Sequence, residues 1–238
     1  MTGTIINVIA ILAGTALGVL FGRRLSDNLK KTITAGMGLF TGAVGLQMFL
    51  KTEQALIVLA ALLLGAITGE WLRIEDRMAS LGIWLERRFT GSSEGGSSRF
   101  VRGFLSASIL FCTGPMAVLG SISDGLTGDY TTLAIKSVLD GFISLVFAST
   151  LGVGVAFSAL PVGVYQGSIS LLAAQFNAII TPAMMAEMTA TGGVLLAGIA
   201  VSSLLEIKKI RVGNMLPALV FAPAIVYLVQ LASRWWLG

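Results

Sequence analysis

Histidine is absent from this chain, and cysteine occurs once, at Cys112. No imidazole base or imidazole metal ligand is available, and no internal disulfide framework can form. Charge is scarce as well: 12% of the 238 residues are charged and 55% are hydrophobic. A soluble domain carries about 25% charged residues, so too few polar groups remain to cover a water-facing surface. There is no phosphate-binding P-loop, no dinucleotide-binding glycine pattern and no HExxH zinc signature. Chemistry here must come from carboxylates, lysine, hydroxyls, amides or backbone, and no metal or cofactor is expected. The net charge of +4 is no nucleic-acid signature, because the basic residues cluster beside apolar runs. That placement sets membrane topology.

What is present is a succession of apolar runs near 20 residues long, the length that spans a bilayer as helix. The chain reads as an all-α, polytopic integral membrane protein whose first partner is the lipid bilayer. Eight spans are expected, at 4–22, 32–50, 54–72, 103–121, 131–156, 162–180, 190–206 and 214–233. The first run has no basic region before it, and Arg23 and Arg24 follow it. That order is wrong for a cleaved signal peptide, so it reads as a retained span.

The whole of 1–238 reads as a single transmembrane domain with an insertion at 73–102. The insertion holds the amphipathic run IEDRMASLGIWLERRF, suited to the membrane interface, and the linker TGSSEGGSS. The third and seventh spans end alike, in GAITGEWLRIED and GIAVSSLLEIKK. This fits parallel repeat halves, 1–121 and 122–238. It fits equally the general taste of membrane helices for small residues and charged ends.

Basic residues fall on the odd connections: Arg23, Arg24, Lys30 and Lys31; then Arg73 to Arg102; then Lys208, Lys209 and Arg211. The even connections hold only Lys51. The positive-inside rule then puts the odd connections in the cytoplasm and both termini outside. Trp71 and Trp84 suit the cytoplasmic interface, and Trp235 and Trp236 the far one.

Polar residues inside these runs carry the functional signal, since ionisable groups at membrane depth are costly. Pro115 follows Thr113 and Gly114 in the fourth span, and proline there frees carbonyls of the preceding turn. Taken alone it reads as a packing kink. A broken helix beside a binding site is the functional alternative. Beyond it, Ser121, Ser123 and Asp124 precede a glycine-punctuated turn that ends at Asp129. Asp129 suits the N-terminus of the next helix. Asp124, with Ser121, reads as part of an external acidic vestibule.

The fifth span is the sharpest feature. Asp129, Thr132, Lys136, Asp140 and Ser144 recur every three or four residues, a stripe about 120° wide on one helix face. Asp140 would lie roughly 13 Å deep, near the middle of a ~30 Å core. Lys136 and Asp140, four apart, can neutralise each other. They read either as a structural ion pair or as a pair that responds to protons or ligand. Gln166, in the irregular sixth span, is a further polar candidate. Asn7 reads as an interhelical hydrogen bond, and Glu187 as a solvated loop residue. Glu70 and Glu206 read as salt-bridge partners of neighbouring basic residues. Asp124-Gly125 opens like a membrane CDP-alcohol phosphotransferase motif, but the Ala-Arg and later Asp pair of that motif are missing.

The segments FCTGPMAVLGSISDGLTGDYTTLAIKSVLDGFISLVFASTLGVGVAFSA, VYQGSISLLA and GGVLLAGIAVSSLLEIKKIRVGNMLPAL resemble the YqgA/YdfK-type bacterial inner-membrane proteins, a domain-of-unknown-function family. The opening GTIINVIAILAGTALGVLFGRRL and the segment GAITGEWLRIED agree. The resemblance spans essentially the whole chain. It implies a multi-pass protein of the bacterial cytoplasmic membrane, with no substrate or reaction attached. The residues themselves suggest a transporter or channel for a small solute or ion, cationic or cation-coupled. Asp140 and Lys136 would be its coupling pair, with Asp124, Asp129, Ser121, Gln166 and the Thr113–Pro115 backbone along the path. At 238 residues it is slim for a transporter, which leaves room for a homodimer. The other readings are a membrane scaffold or sensor and, with the least support, an enzyme acting on a lipid-linked substrate.

Overall fold

The structure, a computed structural model, describes residues 1–22, 24–90, 97–112 and 115–237. Every regular element within them is helical. The chain begins with α1 (Thr2–Gly22), α2 (Asp27–Phe49), α3 (Ala55–Leu72), α4 (Ile74–Thr90), α5 (Ser97–Cys112) and α6 (Pro115–Thr127). Next come α7 (Thr131–Leu151), a 3-10 turn (Gly152–Ser158), α8 (Ala159–Leu171) and α9 (Ala173–Ile179). The chain closes with α10 (Pro182–Ile199), a π turn (Ala200–Leu204), a 3-10 turn (Val212–Met215) and α11 (Ala218–Leu237).

Local chemistry places several boundaries. Ser26 caps α2 by accepting the Leu29 N–H at 3.3 Å. Thr181 caps α10 by accepting the Met184 N–H at 3.2 Å, with Pro182 pre-set for the first turn. This start lies eight residues before the 190 expected from hydropathy, because capping, and not apolarity, begins the helix. Arg73 adopts a left-handed conformation (φ 50°) and turns the chain from α3 into the amphipathic α4. Of the expected linker, 90–98, the ends are helical, Thr90 closing α4 and Ser97 opening α5, and 91–96 lie outside the described residues.

Glycines set how the helices pair. A Cβ added at Gly3 would collide with Leu133, at Gly14 with the Gly141 carbonyl, at Gly18 with the Leu145 carbonyl and at Gly22 with the Ser149 carbonyl. The order rises on both sides, so α1 and α7 lie parallel with backbones in close approach. By the same test Gly163 faces Val8 and Gly167 faces Met1, so α8 runs back along α1. The continuous run 131–171 is therefore a hairpin, turned at Gly152 (φ 81°). A straight helix of that length would reach ~60 Å, twice the bilayer core.

On α2, Gly38 meets Leu204 and Leu205, while Gly45 meets Gly193 and Ala197 of α10, an antiparallel match. Gly65 and Gly69 meet Ala218 and Asn214, antiparallel again, where α3 packs on the α11 region. The largest apolar core gathers Ile11, Phe111, Phe147, Leu195 and Ile199 between these pairs.

Among the described residues six segments are long and apolar enough to cross a membrane, or seven if α5 and α6 are taken as one bent pair. The helix expected at 103–121 is two helices, inclined at 62°. Between them lie Thr113 and Gly114, outside the described residues.

One end of the bundle is basic. Arg102 pairs with Glu206, and Arg211 reaches both Glu70 and Asp76. Asn214 donates to Glu70, while its side-chain oxygen accepts the Glu75 N–H at 2.7 Å. The salt bridges expected of Glu70 and Glu206 are present, with partners far away in sequence. Trp71 and Trp84 are exposed near this end.

Candidate functional site

The polar stripe of α7 faces inward. Lys136, Asp140 and Ser144 are all buried, with Ser144 wholly inaccessible. The helix period brings Lys136 and Asp140 onto one face and pairs them directly. Asn7 of α1 donates its side-chain N–H to the same carboxylate oxygen at 3.0 Å. The parallel packing of α1 on α7 is what brings these residues, 133 apart in sequence, to the same depth. Phe111, in the last turn of α5, lays its ring 5.7 Å from the Lys136 ammonium, a cation–π contact. The end of the helix that precedes the Gly-Pro segment thus lies against the ion pair.

Along α1, α7 and α8 several buried polar atoms have no partner among the described residues. Gln166 of α8 is completely buried, and neither its amide oxygen nor its amide nitrogen has a partner. The Thr4 hydroxyl, the Asn7 side-chain oxygen and the Ser144 hydroxyl are likewise sealed and unpartnered. Each such group costs about 1–3 kcal/mol relative to a hydrogen-bonded one. A native protein keeps them where water or a ligand completes the bonding.

Other expected site residues have different employment. Ser121 is fully buried, and its hydroxyl donates to the Ala117 carbonyl at 2.6 Å within its own helix. Asp124 does not face an open vestibule. It is buried, accepts the Gly3 N–H at 3.0 Å and lies 3.0 Å from the Met1 amino nitrogen. Its carboxylate complements the start of α1, where the orphan N–H groups and the helix dipole favour negative charge.

Asp129 is exposed and accepts the Thr131 N–H at 3.0 Å, ordering the entry to α7 as expected. These hydrogen bonds from Thr131 hold its carboxyl below the usual range. Asp124 and Asp129 therefore do not form one acidic cluster. Pro115 is the first residue of α6, and Thr113 lies outside the described residues.

Glu187 departs most from expectation. It is buried, not solvated, and its carboxylate accepts the Thr52 hydroxyl at 2.6 Å and the Glu53 and Gln54 N–H groups at 2.8 and 2.9 Å. It completes the start of α3 from across the bundle. The available signal was a tight polar turn, Thr52-Glu53-Gln54, opening an apolar helix without a capping residue of its own.

A cavity of about 420 Å³ opens at the basic end between α4, α5 and the segment after α10. Lys136 and Asp140 do not line it. Its innermost α5 residue, Ile109, precedes Phe111 by two residues, ~3 Å of helix rise. On its wall, burial pushes the Glu75 carboxyl up, and at the same end of the bundle the hydrogen bond with Asp76 holds the Arg211 guanidinium above its ordinary value. Among the described residues no three His, Cys, Asp or Glu side chains are grouped to hold a metal ion.

Apolar spans with outward leucines, close glycine seams and a buried ion pair define a multi-pass α-helical membrane protein. The chain belongs to the family DUF554, described as a protein of unknown function, which it matches over residues 2–227. It is 31% identical over 234 residues to the uncharacterized membrane protein YdfK of Bacillus subtilis (strain 168), covering 97% of each chain. It is 32% identical over 221 residues to the uncharacterized protein YqgA of Escherichia coli (strain K12), covering 92% of this chain and 94% of that one. No solved structure matches.

Proposed function

We propose that the protein moves a small solute or ion, cationic or cation-coupled, across the bacterial cytoplasmic membrane. In this reading the two legs of the α7–α8 hairpin are separate passes, the chain crosses eight times, and the basic end faces the cytoplasm. The observation that supports it most is the buried Lys136–Asp140 pair together with the unpartnered buried polar atoms of α1, α7 and α8, Gln166 above all. A seam that only held helices together would spend its hydrogen bonds internally. Asp140 would exchange its lysine partner for a proton or cation during the cycle. Asn7, Gln166 and the backbone between Thr113 and Met116 would supply neutral ligands. The cavity at the basic end would be the inner approach, closed from the pair by Phe111.

Asp140→Asn is expected to cut flux in proteoliposomes at least tenfold while the protein still inserts. It leaves Lys136 buried without its charge partner, which costs about 3–5 kcal/mol. The double variant Lys136→Gln/Asp140→Asn therefore serves as the stable control. Full flux in the double variant would remove the pair from the mechanism.

A second reading, a membrane scaffold or sensor, draws on one observation: the pair is mutually satisfied and lines no described cavity. Exchanging the two residues (Lys136→Asp/Asp140→Lys) separates the readings. A scaffold survives re-formation of the pair, whereas a coupling pair tied to Asn7 and Phe111 does not.

A further inference from the structure

We propose that the cavity at the basic end binds a small oxyanion, a carboxylate or phosphate group, between Arg102, Ser106 and Lys209. At about 420 Å³ it falls in the range of small-molecule sites. Its walls carry charge of both signs, and the hydrogen bonding decides between them. The acids are committed: Glu75 accepts the Gly213 N–H at 3.0 Å, and Asp76 pairs with Arg211. The Ser202 hydroxyl is committed too, bonded to both the N–H and the carbonyl of Ile210.

The donors are not spent. Arg102 gives one terminal N–H to Glu206, yet its Nε is sealed from solvent without a partner among the described residues. Ser106, one turn further along α5 and therefore on the same face, is 1% exposed, lines the cavity and has no partner for its hydroxyl. Lys209 lines the same space and forms no ion pair among the described residues. Unsatisfied donors around a space of this size fit an anion with several acceptor oxygens. The π turn at Ala200–Leu204 carries Ser202 and Ser203, which also line the cavity. Single π turns inside helices recur at functional sites.

The inference does not rest on transport, and its test needs no flux. Full-length protein in detergent is titrated calorimetrically with inorganic phosphate and with citrate. The same protein in lipid nanodiscs is compared for retention of phosphatidylglycerol over phosphatidylcholine. Saturable binding of either soluble anion is expected, weakened about tenfold by Ser106→Ala and several-fold by Lys209→Gln. Neither substitution should lower the melting temperature of the unliganded protein, because neither removes an existing bond. Preferential phosphatidylglycerol retention that is lost in the same variants would assign the oxyanion to a lipid headgroup. Absence of saturable binding in all formats, or binding equal in wild type and both variants, overturns the proposal.

Discussion

The seam between α1 and α7 and the seam between α3 and α11 rest on the same device and differ in content. In both, glycines let a backbone approach so closely that an added methyl would strike a carbonyl or amide of the partner. The α3–α11 seam is lined by Ala61, Ala218 and Ala222, all wholly buried. The α1–α7 seam adds Thr4, Asn7, Thr15, Lys136, Asp140 and Ser144 to its glycines. Small residues alone produce adhesion, since lipid offers no hydrophobic drive for helix pairing and close packing must supply it. The Asn7–Asp140 bond adds interhelical adhesion of its own, which alanines cannot supply. Of the two seams, only the α1–α7 one buries an ion pair, which is why the proposed function is sited there, while the α3–α11 seam buries Asn214 at its basic end.

Four substitutions probe that contrast. The largest effect is expected from Gly14→Leu and Gly69→Leu, one in each seam, because each side chain would displace a partner carbonyl. Both should abolish a monodisperse folded peak in detergent chromatography. Survival of Gly14→Leu alone would show that the polar seam is the looser of the two.

Gln166→Leu should act in the opposite sense on stability. It removes two unpartnered buried amide atoms at similar volume, so the melting temperature should hold or rise while flux falls several-fold. Unchanged flux would remove Gln166 from the proposed path. The smallest effect falls outside both seams. Glu187→Gln weakens three accepted hydrogen bonds at the start of α3 without removing the side chain. About 1–2 kcal/mol of stability should be lost, read as a lowered melting temperature with flux intact.

The stripe on α7 was legible because helical spacing is a local property, and a lysine four residues from an aspartate inside an apolar run has few meanings. The common end of the basic connections was legible for the same reason, charge being read off directly. The partners of Asp124 and Glu187 were not. A carboxylate that completes another helix's first turn 121 or 135 residues away leaves no mark in its own neighbourhood. Hydropathy misplaced the start of α10 and merged α5 with α6, since an apolar average is blind to caps and to a change of helix direction. Gln166 was visible as a polar residue in a span, but its lack of any partner is a fact of packing alone.

The tie between Asn7 and Asp140 also bears on how the chain is made. Residue 7 leaves the ribosome 133 residues before the carboxylate that receives it, an interval of roughly 7–27 s at ordinary rates of synthesis. Through that time the amide waits in the bilayer, or beside the insertion machinery, with nothing of its own chain to bond. The first helix to enter is thus fastened to α7 only after five others have been made, and α10 and α11 still follow to close on α2 and α3.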